Sequence, residues 1–122
     1  MEDLIFIRLD GDKIGDKIEL FLLNNDWISA QDIHNKIQKG IESLVKYIKS
    51  IESSQLLMVG CDDILFTIKR HEFNLIIVQQ IQKIFFNETQ FTLSIGIGNS
   101  SIDAIHNLRK AKLSGRNKII LT

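Results

Sequence analysis

The sequence predicts an α+β domain: a ferredoxin-like βαββαβ core with an extra helix early and an extra helix and strand at the C-terminal end. Three observations carry that reading. Short runs of β-branched and aromatic residues alternate with longer segments of helical apolar spacing. Two strand-like runs, LLMV and DILFTI, are separated only by Gly60-Cys61-Asp62, the mark of a β-hairpin. The chain contains no proline, so nothing interrupts a regular element. Its 122 residues suffice for a single domain, 1–122, with one core and with helices covering one face of an antiparallel sheet.

Each element has a local cause. LIFIRLD, residues 4–10, is short and rich in β-formers and reads as a buried strand ending at Asp10. GDKIGDK, residues 11–17, carries two glycines and turns into a helix over about 16–24, where IELFLL supplies the apolar stripe. Asn24-Asn25-Asp26 breaks it. A longer helix is expected over about 29–52, with Ile33, Ile37, Ile41, Leu44, Ile48 and Ile51 three and four apart. Ser29 with Asp32 resembles its N-cap, and Ser53-Ser54 ends it. After the hairpin come a helix over about 72–86, a loop at Asn87-Glu88-Thr89 and a strand, FTLSIGIG, over 91–98. A helix over about 101–113 follows, with Gly115 in the C-cap place, and KIILT closes as a strand.

Composition excludes several classes. Lys plus Arg balance Asp plus Glu at 15 each, so no global field drives stable binding to nucleic acid or anionic lipid. The single cysteine, Cys61, excludes an internal disulfide framework and fits a reducing compartment. MEDLIFIRLD is not built like a signal peptide, and no apolar run approaches the ~18 residues of a membrane span. The expectation is a small soluble cytoplasmic domain with no membrane partner. His34, His71 and His106 lack metal-ligand spacing with one another or with Cys61.

The chemistry concentrates around VGCDDILF, residues 59–66, where Asp62 and Asp63 stand between two apolar runs. In the expected topology the first strand lies beside the hairpin, so Asp10 comes near Asp62 and Asp63, with Asp12 at hand. Carboxylates gathered in this way repel and raise one another's pKa. Divalent ions relieve the repulsion: Mg²⁺ takes one or two carboxylates, carbonyl and water oxygens and substrate phosphates. Two such ions about 4 Å apart stabilise both oxygens of a phosphoryl displacement. The candidate cofactor is therefore a pair of Mg²⁺ or Mn²⁺ ions carrying a nucleoside triphosphate. The loop Gly11-Asp12-Lys13-Ile14-Gly15 offers backbone N–H groups at a helix start, a natural phosphate cradle. Lys112 and Arg116, four apart beside the last helix, can reach a triphosphate as point charge and fork. Blander readings stay open for each part. An Asp in a turn can serve only an Asx turn, and cations at a helix C-terminus complement its dipole.

Four segments, in order, carry a resemblance: LDGDKIGD (9–16), GCDD (60–63), LSIGIG (93–98) and AKLSGRNK (111–118). Together they resemble the palm domain of the GGDEF and type III CRISPR polymerase superfamily, over nearly the whole chain. The hairpin reads GCDD, closer to the GGDD of the CRISPR branch than to GGDEF, and the start reads DGD-x-x-G. A single palm of this kind resembles the minimal CRISPR polymerases, mCpol. The resemblance implies a nucleotidyl cyclase or cyclic oligonucleotide synthase in antiviral defence. Asp10, Asp62 and Asp63 would be catalytic and bind the two metals, with the Gly11 carbonyl as a further ligand. Gly11, Asp12, Lys13, Ile14, Gly15, Gly60, Cys61, Lys112 and Arg116 would contact nucleotide.

Base choice follows from the same comparison. GTP-using relatives read guanine with Asn and Asp, eight and seventeen residues after the metal Asp. Counted from Asp10, those places hold Ile18 and Trp27, which favours ATP and a cyclic di-AMP type of product. A cyclic dinucleotide needs two phosphodiester bonds, and two facing palms are the simplest geometry. A homodimer with nucleotides between subunits is expected, its product sensed by a separate effector. The alternative is a catalytically silent palm that binds nucleotide or a partner as a regulatory module.

Overall fold

The computed structural model describes residues 3–122. Strand β1 (Leu4–Gly11) alternates strictly: Ile5, Ile7 and Leu9 are buried in the core, while Phe6, Arg8 and Asp10 face the other way. Helices α1 (Ile14–Leu23) and α2 (Trp27–Lys49) follow. Helix α2 begins before Ser29 because Asp26 is its N-cap, accepting from the Ser29 N–H (3.1 Å) and Ser29 Oγ (2.7 Å). Those bonds hold the Asp26 carboxyl below its ordinary range. The inner face of α2 carries Ile37, Ile41, Leu44 and Ile48 as expected.

The hairpin consists of β2 (Gln55–Val59) and β3 (Asp63–Lys69), with Asp62 in the tip and Asp63 opening β3. Helix α3 (Leu75–Thr89) starts where Asn74 caps the Ile77 N–H at 3.2 Å, three residues later than the apolar pattern suggests. It crosses α2 closely at Gly40, where a Cβ would lie 2.5 Å from Thr89 Cγ2. Strand β4 (Leu93–Gly98), helix α4 (Ser101–Leu113) and strand β5 (Ile119–Leu121) complete the chain. None of the described helices is long and apolar enough to cross a membrane.

The sheet order is β2-β3-β1-β4-β5. The first four strands form the antiparallel ferredoxin-like sheet that the sequence predicts. Two details differ. Strand β5 pairs parallel to β4, because α4 acts as a crossover between them, so the sheet as a whole is mixed. Helix α4 also packs on the opposite face from α2 and α3. Leu93, Ile95 and Ile97 join the main core with α2 and α3, while Gly96 and Gly98 point the other way. A Cβ on Gly96 would strike the α4 backbone at Ala104 and Leu108. The face that carries Arg8 and Asp10 is therefore the face that α4 covers.

Candidate functional site

The site forms where β1 ends beside the hairpin. Asp10 and Asp63 are direct partners in the β1–β3 register. The Gly11 N–H donates to the Asp62 carbonyl at 2.9 Å, pinning the hairpin tip to the strand end. The turn closes on itself through the Gly60 N–H and the Asp63 carbonyl, 2.8 Å apart. A Cβ at Gly60 would run into Asp63 Oδ1, so any larger residue there would have to turn the Asp63 carboxylate aside. Asp10, Asp62 and Asp63 thus converge as expected. Burial pushes the Asp62 carboxyl up from its ordinary value, the charges of Asp10 and then Asp63 push it further, and Lys112 opposes them.

Two cations of the chain itself meet this charge. Lys112, reaching from α4, ion-pairs with Asp10 Oδ2 at 2.7 Å. Arg8 places Nη1 2.8 Å from Asp63 Oδ2. Among the described residues, no three His, Cys, Asp or Glu side chains are gathered tightly enough to enclose a metal unaided. Mg²⁺ does not require that, since it completes its shell with water and substrate phosphate around one or two carboxylates. Asp10, Asp62 and Asp63 are a donor set of that kind, all oxygen and all half-exposed.

Asp12 sits elsewhere than the sequence reading placed it. Its side chain is buried, accepting from Thr92 Oγ (2.6 Å), Ser94 Oγ (2.6 Å) and the Asn117 N–H (3.0 Å). Its own N–H donates to the Thr92 carbonyl at 3.0 Å. The carboxylate is a joint that ties the end of β1 to β4 and to the loop after α4. That loop carries Arg116 and Asn117, both in the left-handed region at φ 65° and 50°. Asp12 thereby fixes where Arg116 emerges.

Two clefts flank the carboxylates. One, of about 560 Å³, is lined by Asp12, Lys13, Lys17, Thr92, Lys112 and Arg116 among others. Lys13 precedes α1 in the left-handed conformation, and no side chain caps that helix, so its first-turn N–H groups have no side-chain acceptor. Lys17, one turn beyond Lys13, adds a cation that the sequence reading passed over; it also lies 5.1 Å from the Phe21 ring centroid. The second cleft, about 180 Å³ between α1 and α2, is lined by Ile14, Gly15, Ile18, His34, Ile37, Gln38, Cys61 and Asp62. Ile14 is buried in the core beneath Gly11; Gly15 and Cys61 are exposed. Trp27 is absent from both clefts and 61% exposed. His34 and Gln38, one helical turn apart, add polar side chains to a slot whose other walls are Ile14, Ile18 and Ile37 and the hairpin tip at Cys61 and Asp62. A roomier groove of about 710 Å³, lined by Ile41, Val45, Lys46 and Val59 among others, reaches the hairpin tip at Gly60 and Cys61; like the 560 Å³ cleft it is lined by none of the three carboxylates, but it lacks that cleft's Lys112, the partner of Asp10.

With this geometry in hand, comparison with known proteins is informative. The family model of the minimal CRISPR polymerase domain, mCpol, matches residues 6–122. No curated protein matches the chain in sequence. Among solved structures, a Csm1-Csm4 cassette in complex with cA4 superposes with a TM-score of 0.74 at 16% identity, covering 98% of this chain and 21% of that one. The cassette in complex with one ATP gives 0.70 at 18% identity, covering 96% and 20%. The active GGEEF domain of a diguanylate cyclase from Vibrio cholerae gives 0.59 at 17% identity, covering 97% and 81%. The chain spans about a fifth of each Csm1-Csm4 chain and most of the GGEEF domain. At these identities the likeness shows the shared palm fold.

Proposed function

The chain belongs to the minimal CRISPR polymerase family, and from that premise we propose that it is a two-metal nucleotidyltransferase making a cyclic di- or oligonucleotide from ATP. The observation that carries this reading is the pairing of Asp10 with Asp63 across β1 and β3, with Asp62 pinned alongside and its carboxyl pushed up by burial and then by the charges of Asp10 and Asp63. Such an arrangement invites cationic ligands. Asp10, Asp62, Asp63 and the Gly11 carbonyl would hold two Mg²⁺ or Mn²⁺ ions. When bound, the ions supply charge neutralisation at the reacting phosphate.

The chain's own groups do the positioning. Lys13, Lys17, Lys112 and Arg116 line the larger cleft, so the triphosphate lies there, over the uncapped start of α1. The base then occupies the slot between α1 and α2. Ile18 there offers no hydrogen bond to guanine, and the His34 and Gln38 side chains that line the slot would read an adenine edge. A ribose hydroxyl of one nucleotide attacks the α-phosphorus of the other, the P–O bond to the β-phosphate breaks, and pyrophosphate leaves. Catalysis is positioning and electrostatics rather than covalent chemistry. Two palms facing one another would each hold one nucleotide, and a separate effector would sense the product in antiviral signalling. The solved relatives support this reading: the Csm1-Csm4 cassette was crystallised with ATP and with cA4.

The test is incubation of the purified protein with ATP, GTP, CTP and UTP, singly and mixed, with Mg²⁺ or Mn²⁺. ATP consumption with stoichiometric pyrophosphate release is expected. Preferential use of GTP would overturn the base assignment.

A further inference from the structure

Arg8 lies outside every motif that led to the site, yet it touches the site's chemistry. It sits two residues before Asp10 on the same face of β1, opposite Gly96 of β4 and Leu65 of β3. Its side chain is 21% exposed and that of Asp63 is 30% exposed. Nη1 lies 2.8 Å from Asp63 Oδ2, close enough for an ion pair. The same nitrogen is buried without a well-directed hydrogen bond. Distance and angle therefore disagree. The contact is electrostatic and badly aligned, unlike the bidentate forks that make arginine–carboxylate pairs rigid. The other oxygen of Asp63 faces the Gly60 turn, where even a methyl group would collide with it. One oxygen is crowded by backbone and the other is covered by a guanidinium.

The charges can be counted. Asp10, Asp62 and Asp63 carry three negative charges when ionised, and Arg8 and Lys112 supply two positive ones. A bare divalent ion meets little net attraction and one blocked oxygen. A triphosphate-bound ion brings its own anionic charge, which can take over the guanidinium.

We propose that Arg8 is the resident counter-ion of Asp63: it occupies the metal-facing oxygen in the nucleotide-free protein and passes to a phosphate oxygen when metal and nucleotide arrive together. It is a positioning residue that makes metal entry depend on nucleotide. The proposal rests on the reading of Asp10, Asp62 and Asp63 as metal ligands.

The test is Mn²⁺ affinity without nucleotide, by titration calorimetry or by the EPR signal of free Mn²⁺. Arg8→Met keeps the apolar stem and removes the charge; Arg8→Lys keeps the charge and removes the fork. Arg8→Met is expected to bind Mn²⁺ about tenfold more tightly than the wild type, the factor that one repelling charge near a divalent ion gives even with bulk-water screening. Arg8→Lys should stay within about twofold of the wild type. Arg8→Gln carries the same expectation as Arg8→Met and replaces it if that variant does not fold. Unchanged or weaker Mn²⁺ binding in the folded neutral variant overturns the proposal, as does an equal shift in Arg8→Lys. Failure of the metal reading is distinguishable. In that case Asp63→Asn would leave unchanged the Mn²⁺ affinity measured with a non-hydrolysable ATP analogue.

Discussion

Replacing Asp12 by alanine should destabilise the fold by about 3–5 kcal/mol. The carboxylate is 6% exposed and accepts three hydrogen bonds, from Thr92 Oγ, Ser94 Oγ and the Asn117 N–H. A hydrogen bond to a charged group contributes about 1.5–3 kcal/mol, so three give an upper figure near 5–9 kcal/mol. The two hydroxyls can rotate towards other acceptors, which lowers the sum, whereas the Asn117 N–H is fixed by its backbone. About 3–5 kcal/mol remains, a large part of the stability of any small domain. For 122 residues the unfolding entropy is about 0.26 kcal/mol/K, so a 3 kcal/mol loss lowers Tm by roughly 12 °C. Urea unfolding of Asp12→Ala and of the wild type, with equal slopes, measures the difference. A loss under about 1 kcal/mol would refute the assignment of Asp12 as a structural joint. It would return Asp12 to the nucleotide-contacting residues.

The other expectations concern charge. Asp62 holds its proton to higher pH in the folded protein than its ordinary value of 3.8, so the native state binds more protons than the unfolded chain. Stability of the metal-free protein therefore falls as pH rises from about 4 through the raised folded value. Asp62→Asn removes that loss: thermal melts should show it more stable than the wild type at neutral pH and equal to it near pH 3. A destabilised Asp62→Asn at neutral pH would mean that Asp62 is a structural residue. Lys112→Ala should weaken apparent ATP affinity about tenfold or more, because it removes a charge-assisted contact to phosphate. Unchanged affinity in a binding titration would remove Lys112 from the triphosphate cleft.

Much of the site was legible because topology constrains it. Once the hairpin and the ferredoxin-like order are recognised, β1 must lie beside β3, and Asp10 must reach Asp63. What the sequence hid were facing directions. Asp12 is only two residues from Asp10, but the chain leaves the strand at Gly11 and its carboxylate turns inward to Thr92 and Ser94. Arg8 was lost inside an apolar run, LIFIRLD, read as buried throughout; its period of two would have set Phe6, Arg8 and Asp10 on one face. The side taken by α4 was written in Gly96 and Gly98, whose alternation with isoleucine leaves a smooth surface for a helix. Helix starts slipped where an Asx cap, Asp26 or Asn74, stood away from the first apolar residue. His34 and Gln38 belong to a slot that two helices create together, and neither helix shows it alone.

The most direct measurement is product analysis by mass spectrometry, with the wild type and the Asp62→Asn, Asp63→Asn double variant incubated side by side with ATP and Mg²⁺ or Mn²⁺. The account predicts a cyclic adenylate that forms only with the metal and only in the wild type, while circular dichroism shows both proteins folded. The same product from the double variant, or a wild type that binds ATP yet forms no phosphodiester bond with either metal, would contradict it.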